Sequence, residues 1–215
     1  MPLLRITAAP DRLHLADASE GDWRVAVRRG VAADPGPVTV MVHGYKYLPG
    51  HPVHCPHATL QADRPNRRDP RIISWPRHLG LRGQPGAGLG ISFGWHARGS
   101  IWAAHRRAAD AGHRLAALLA EVRRADPNRP VHILAHSLGA RVTLSAIAQG
   151  APGTVTRAVL MAAAEFAGTT RTVLQSPQGR DIQILNVTSR ENDLFDFLLE
   201  TLVSSPEPGD RMLGY

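Results

Sequence analysis

The chain has 215 residues, with 25 Lys+Arg against 18 Asp+Glu for a formal net charge of +7. That length fits one domain, and 43 % hydrophobic against 20 % charged residues excludes a disordered chain. A single cysteine, Cys55, excludes an intrachain disulfide, and no apolar run reaches the length of a bilayer span. From the N-terminus, Leu3–Ala8, Leu13–Ala16 and Trp23–Arg28 read as short strands, the last on the alternation Trp23, Val25, Val27. Val38–Val42 is a continuous run of the kind buried on both faces of a parallel sheet, and it ends at His43-Gly44-Tyr45.

Residues 48–90 are rich in Pro, Gly, His and Arg, with one expected strand at Ile72–Trp75. So long a connection is expected to cover a site in the manner of a lid. A strand follows at Leu89–Trp95. Then Ile101, Ala104, Ala108, Ala111, Leu115, Leu118 and Val122 recur at alternating spacings of three and four, which predicts an amphipathic helix stopped by Asp126-Pro127-Asn128. Strand and helix alternate from there: Val131–Ala135, Leu138–Gln149, Arg157–Ala162, a helical segment near 170–175, Ile182–Val187 and Leu194–Val203. The class is α/β, a mostly parallel sheet with helices on both faces.

In such a sheet ligands bind beyond the carboxyl ends of the strands. Beyond Val131–Ala135 stands His136-Ser137-Leu138-Gly139-Ala140, a serine on a strand-to-helix turn between small residues. A tight elbow needs such neighbours, since its flanks pack against adjacent strands and leave the hydroxyl exposed at the helix N-terminus. There the N–H of Leu138 is aimed at an oxyanion formed on an attacked carbonyl.

On these residues the chain resembles the α/β-hydrolase family of serine esterases and lipases. Ala135-His136-Ser137-Leu138-Gly139 looks like its nucleophile elbow, with Ala in place of the usual first Gly. His43-Gly44 is similar to its oxyanion loop, and by that resemblance the N–H of Tyr45 is the second oxyanion donor. The resemblance covers roughly residues 20–203 and implies a three-layer fold over a single domain, 1–215, acting on a small-molecule ester or related acyl substrate without a cofactor. It places the triad acid at Asp193, after Ile182–Val187, with Glu165 as an alternative after the preceding strand.

The family order is Ser, then acid, then His. All eleven histidines here lie at or before His136. The pattern is therefore expected to be C-terminally incomplete, one strand, one helix and one histidine short. Three explanations stay open. The base is supplied by sequence outside these 215 residues; a histidine such as His96, which closes Leu89–Trp95, substitutes; or the chain is a noncatalytic binding module that has kept the fold and lost the triad.

Other patterns carry less. His51, His54, Cys55 and His57 crowd one stretch, but Pro52 and Pro56 stiffen it and no second Cys/His pair stands at zinc-finger spacing, so no metal is expected. Gly83, Gly86, Gly88 and Gly90 lack the Lys-Ser/Thr of a phosphate loop. Lys46 is the only lysine, and the arginines are scattered without interleaved aromatics, so no nucleic-acid partner is expected. The expected location is the cytoplasm, and oligomeric state is left open.

Overall fold

The computed structural model describes residues 3–17, 21–65, 72–188 and 209–213. Seven strands form one sheet: β1 (Leu4–Ala8), β2 (Leu13–Leu15), β3 (Val38–Val42), β4 (Leu89–Trp95), β5 (Val131–His136), β6 (Arg157–Met161) and β7 (Gln183–Val187). Their order is β2-β1-β4-β3-β5-β6-β7. Only β2 runs antiparallel, on β1; every other pair is parallel. Every residue of β3 and β4 is buried, as expected of central strands covered on both faces.

The helices are α1 (Trp23–Ala33), α2 (Trp75–His78), α3 (Ile101–Ala125), α4 (Leu138–Gln149) and α5 (Ala167–Gln175). α1 packs on α3, α3 on α4 and α4 on α5, forming one continuous layer. The expected stripe on α3 is the buried one from Ala104 to Val122, with Gly112 and Leu119 added. Buried Glu121 ties the layer together by accepting from Arg28 of α1 at 2.6 Å and from Arg124. The opposite face of the sheet carries the segment between β3 and β4, in which Leu60 and Trp75 pack with Met41. This is an α/β architecture, a mostly parallel sheet with one helical layer on one face and the β3–β4 segment on the other.

Two expected strands are not strands. Trp23–Arg28 begins α1: the Asp22 side chain accepts from the Arg24 N–H as an N-cap, and Trp23, Val27, Gly30 and Val31 are buried at helical spacing. Of the alternation Trp23, Val25, Val27 only Trp23 and Val27 share the buried helix face, and Val25, about 200° round, is half-buried. At Ile72–Trp75 the chain instead enters α2, capped by Ser74 with Pro76 in its first turn.

A chain of buried polar groups fastens the β3–β4 connection to the sheet. Gln61 Nε2 donates to the Met41 carbonyl at 2.7 Å, which orients the amide. Ser92 Oγ therefore donates to Gln61 Oε1 at 2.8 Å, and His57 Nδ1 donates to Ser92 Oγ at 2.6 Å. His57 Nε2 is left to accept from Thr7 Oγ1 at 3.0 Å. The N–H groups of Gly86 and Gly88, which mimic a phosphate loop in sequence, both donate to the Asp34 carboxylate at 2.9 Å. With a further bond from the Gly36 N–H, these hold the Asp34 pKa below the usual carboxylate range.

Candidate active site

Ser137 sits between β5 and α4 with φ 53° and ψ −125°, a backbone conformation that a residue with a Cβ rarely adopts. The turn is held from three sides. Ser137 N–H donates to the Met161 carbonyl of β6 at 3.0 Å, and the Ser137 carbonyl accepts from Ala140 N–H at 2.9 Å and Ala164 N–H at 3.2 Å. The side chain makes no capping bond. Among the described residues, the half-buried Ser137 has no hydrogen-bond partner for its hydroxyl.

The small residues around it are required by contact. A Cβ on Gly139 would lie 2.6 Å from the Val42 carbonyl oxygen, so only glycine lets α4 start this close to the end of β3. A Cβ on Gly44 would lie 2.7 Å from Ser137 Cβ. The loop after β3 thus rests directly on the serine.

His43 builds that loop. It is fully buried and stacks on Trp95, with centroids 5.5 Å apart and rings inclined by 11°. Trp95 N–H donates to His43 Nε2 at 3.0 Å, so Nδ1 carries the proton and donates to the Gly44 carbonyl at 2.9 Å. Trp95 Nε1 returns a bond to the His43 carbonyl at 3.0 Å. Burial lowers the His43 pKa to about 3. This histidine is neutral, with both nitrogens engaged, and it orients the 43–45 turn.

Beyond it, Tyr45 Oη donates to the Gly99 carbonyl at 2.5 Å and Lys46 N–H to the Ala97 carbonyl at 2.8 Å. The Tyr45 N–H forms no hydrogen bond among the described residues. Leu138, fully buried, begins α4, so its N–H has no intrahelical acceptor. The Tyr45 and Leu138 N–H groups are thus both left without a backbone acceptor on the two segments that meet at Ser137, the 43–45 loop and the start of α4. A cavity of about 420 Å³ opens beside the loop, lined by Tyr45, Tyr47, Val53, Cys55 and Ile72 among others.

The remaining sequence-derived residues are placed differently. Asp193 lies outside the described residues. Glu165 is 1 % exposed; its Oε2 accepts from Arg141 Nη1 at 2.7 Å and its Oε1 from the Phe166 N–H at 2.9 Å. Burial raises its pKa, while Arg141 and the Phe166 N–H pull it back down. His96 is exposed past the end of β4, two strand positions from β5, and lines a separate cleft with Trp95 and Arg107. Burial, then Arg107 and Arg98, lower its pKa. His136 presents its ring to the edge of Trp75 at 6.4 Å. In the His/Cys stretch, His51 Nδ1 accepts from the N–H groups of Val53 and His54, and His57 belongs to the buried polar chain.

Arg141 was missed in sequence. One turn after Ser137, it donates to Glu165 and to the His105 carbonyl of α3 at 3.1 Å, so it ties both elements to α4. Its position four residues beyond the serine was the available signal.

Residues 100–192 match the family described as the T6SS Tle3 phospholipase effector domain. The span takes in α3 to β7 and Ser137, and it is less than half of the chain. Among solved structures, the chain is similar to a Trichoderma reesei cutinase in complex with a C11Y4 phosphonate inhibitor. That similarity has 12 % identity and a TM-score of 0.34, over 77 % of this chain and 72 % of that one. No curated protein matches significantly.

Proposed function

We propose that this chain is a serine hydrolase of lipid esters, with Ser137 as the nucleophile of an elbow and the N–H groups of Tyr45 and Leu138 as its oxyanion hole. The observation that carries this reading is Ser137 itself, strained at φ 53° on the β5–α4 junction with Gly44 against its Cβ. Such strain persists only where the surroundings impose it, and it concentrates at functional sites. The family match, which includes Ser137, supports a lipid as the substrate.

In this mechanism Ser137 Oγ attacks the ester carbonyl carbon as its proton passes to a histidine. The carbonyl oxygen takes the negative charge between the two N–H groups. Collapse expels the alcohol, which receives the proton, and water then releases the acid from the acyl-serine. Asp193 orients the histidine. We propose that this histidine comes from outside these 215 residues, because His43 and His57 have both nitrogens engaged, His136 lies against Trp75, and His96 lines a separate cleft two strand positions from β5. A second reading is a binding module that has kept the fold without catalysis.

Fluorophosphonate labelling decides between them. The full-length gene product is expected to label at Ser137 far faster than its Ser137→Ala control; equal rates would overturn the hydrolase reading. The 215-residue chain alone is expected to turn over p-nitrophenyl acetate weakly or not at all. Robust Ser137-dependent turnover by it would place the base inside the chain.

A further inference from the structure

Lys46 is the only lysine in the chain, it directly follows the proposed oxyanion donor Tyr45, and it holds φ at 74°. A long side chain in left-handed backbone is uncommon, and this one is fixed there by its N–H bond to the Ala97 carbonyl. The ammonium arm is exposed. A second cation is held at the same place: Arg98 Nη1 donates to the Lys46 carbonyl at 3.4 Å. Arg107 secures the segment bearing Arg98, donating from Nε to the His96 carbonyl at 3.0 Å and from Nη2 to the Arg98 carbonyl. Arg98 also presses on His51, whose pKa is lowered by burial first and then by that guanidinium.

Arg5, Arg28, Arg77, Arg124, Arg129, Arg141 and Arg180 each pair with a carboxylate. Among the described residues neither Lys46 nor Arg98 does, as is also true of Arg12, Arg29, Arg82 and Arg106; what sets these two apart is that they meet at the Lys46 carbonyl. Lys46 itself lines the cavity that begins at Tyr45, whose wall includes Tyr47, Val53 and Ile72, and Arg98 stands behind it through its bond to the Lys46 carbonyl. A point-charge ammonium beside a forked guanidinium suits a compact oxyanion such as a phosphate.

We propose that Lys46 and Arg98 form a headgroup subsite that selects esters carrying a net-negative phosphodiester near the scissile bond. The acyl chain enters the neighbouring cavity and the phosphate seats on the cation pair. This rests on Ser137 being the nucleophile, since only then does the Tyr45 loop face the scissile ester.

The test reads binding without turnover, in the Ser137→Ala chain, by titration calorimetry. The ligands are monomeric dihexanoyl phosphatidylglycerol, dihexanoyl phosphatidylcholine and inorganic phosphate. Phosphatidylglycerol is expected to bind about tenfold or more tightly than phosphatidylcholine, the equivalent of about 1.4 kcal/mol. Added salt should shrink the difference. Lys46→Gln and Arg98→Gln should each erode it, and together bring phosphatidylglycerol to the phosphatidylcholine level. Lys46→Glu, at an exposed position, should reverse the order even if Arg98→Gln disturbs the loop.

Equal affinities, a preference that survives the double variant, or no binding of phosphatidylglycerol at millimolar concentration would each overturn the subsite. Inorganic phosphate binding as tightly as phosphatidylglycerol would overturn it too, leaving an anion patch unrelated to an ester. Labelling at Ser137 without a headgroup preference would remove the subsite alone. The preference without labelling would remove the hydrolase reading instead.

Discussion

Gly44 and Ser137 are in such close contact that a methyl group on Gly44 would stand 2.7 Å from Ser137 Cβ and 2.8 Å from the His136 carbonyl oxygen. Neither neighbour can yield cheaply, because Ser137 is held by Met161, Ala140 and Ala164. The 43–45 loop must move instead, and Tyr45 N–H with it. Gly44→Ala is therefore expected to slow fluorophosphonate labelling of Ser137 by about 10²-fold, the usual effect of losing one oxyanion donor. The stability cost of such overpacking is smaller, about 1–3 kcal/mol. Labelling at the unsubstituted rate would show that the loop is not part of the reacting site.

The Arg141–Glu165 pair joins α4 to the segment after β6 in a buried setting, with Glu165 closed to solvent. Arg141→Met alone leaves a buried carboxylate, and Glu165→Leu alone leaves a guanidinium without its partner. Each is expected to cost about 3–5 kcal/mol in urea denaturation, while the double variant recovers much of the loss. Additive single effects would contradict a coupled pair.

Ser92→Ala removes the hydroxyl that both accepts from His57 and donates to Gln61. Two buried polar groups lose a partner, at about 1–3 kcal/mol. Hydrogen exchange should rise selectively at Ala58–Ala62, which Gln61 and His57 fasten to the sheet. Exchange that rose evenly over the whole sheet would indicate a general loss of stability instead.

The parallel strands and long helices were legible because each rests on one strong local signal. Val38–Val42 is continuously apolar, the α3 stripe repeats at 3.6 residues, and α4 runs from Leu138 to Gln149 as its pattern implies. Trp23–Arg28 was misread because Trp23 and Val27, four apart, fit both a strand and a helix, and the Asp22 cap and the burial of Gly30 and Val31 further along separate the two. At the site, Ser137, His43 and Gly44 announced themselves by type and spacing. The commitment of Glu165 to Arg141 and the tautomer of His57 depend on partners 24 and 35 residues away, which no local pattern encodes.

His43 and His57, the two most buried histidines, act on the acid response together with His105, which burial first and then Arg141 and Arg106 lower to about 4. Burial lowers His43 to about 3 and His57 to about 4, so both stay neutral in the folded chain where the unfolded chain protonates near 6.5. The stability they contribute is fully present above pH 6.5. It is lost as pH falls from there toward 4, with His43 continuing to about 3. Each contributes a slope of about 1.4 kcal/mol per pH unit within its window. Asp34 and Asp126, with lowered pKa values, act in the same sense only at lower pH, while Glu165, raised by burial, opposes them. Urea midpoints measured at pH 7.5, 6 and 5 should therefore fall steadily. His57→Gln is expected to lower the midpoint at pH 7.5 yet flatten the decline by about half of the slope the two histidines produce. An equally steep decline in that variant would show that His57 takes up its proton without unfolding.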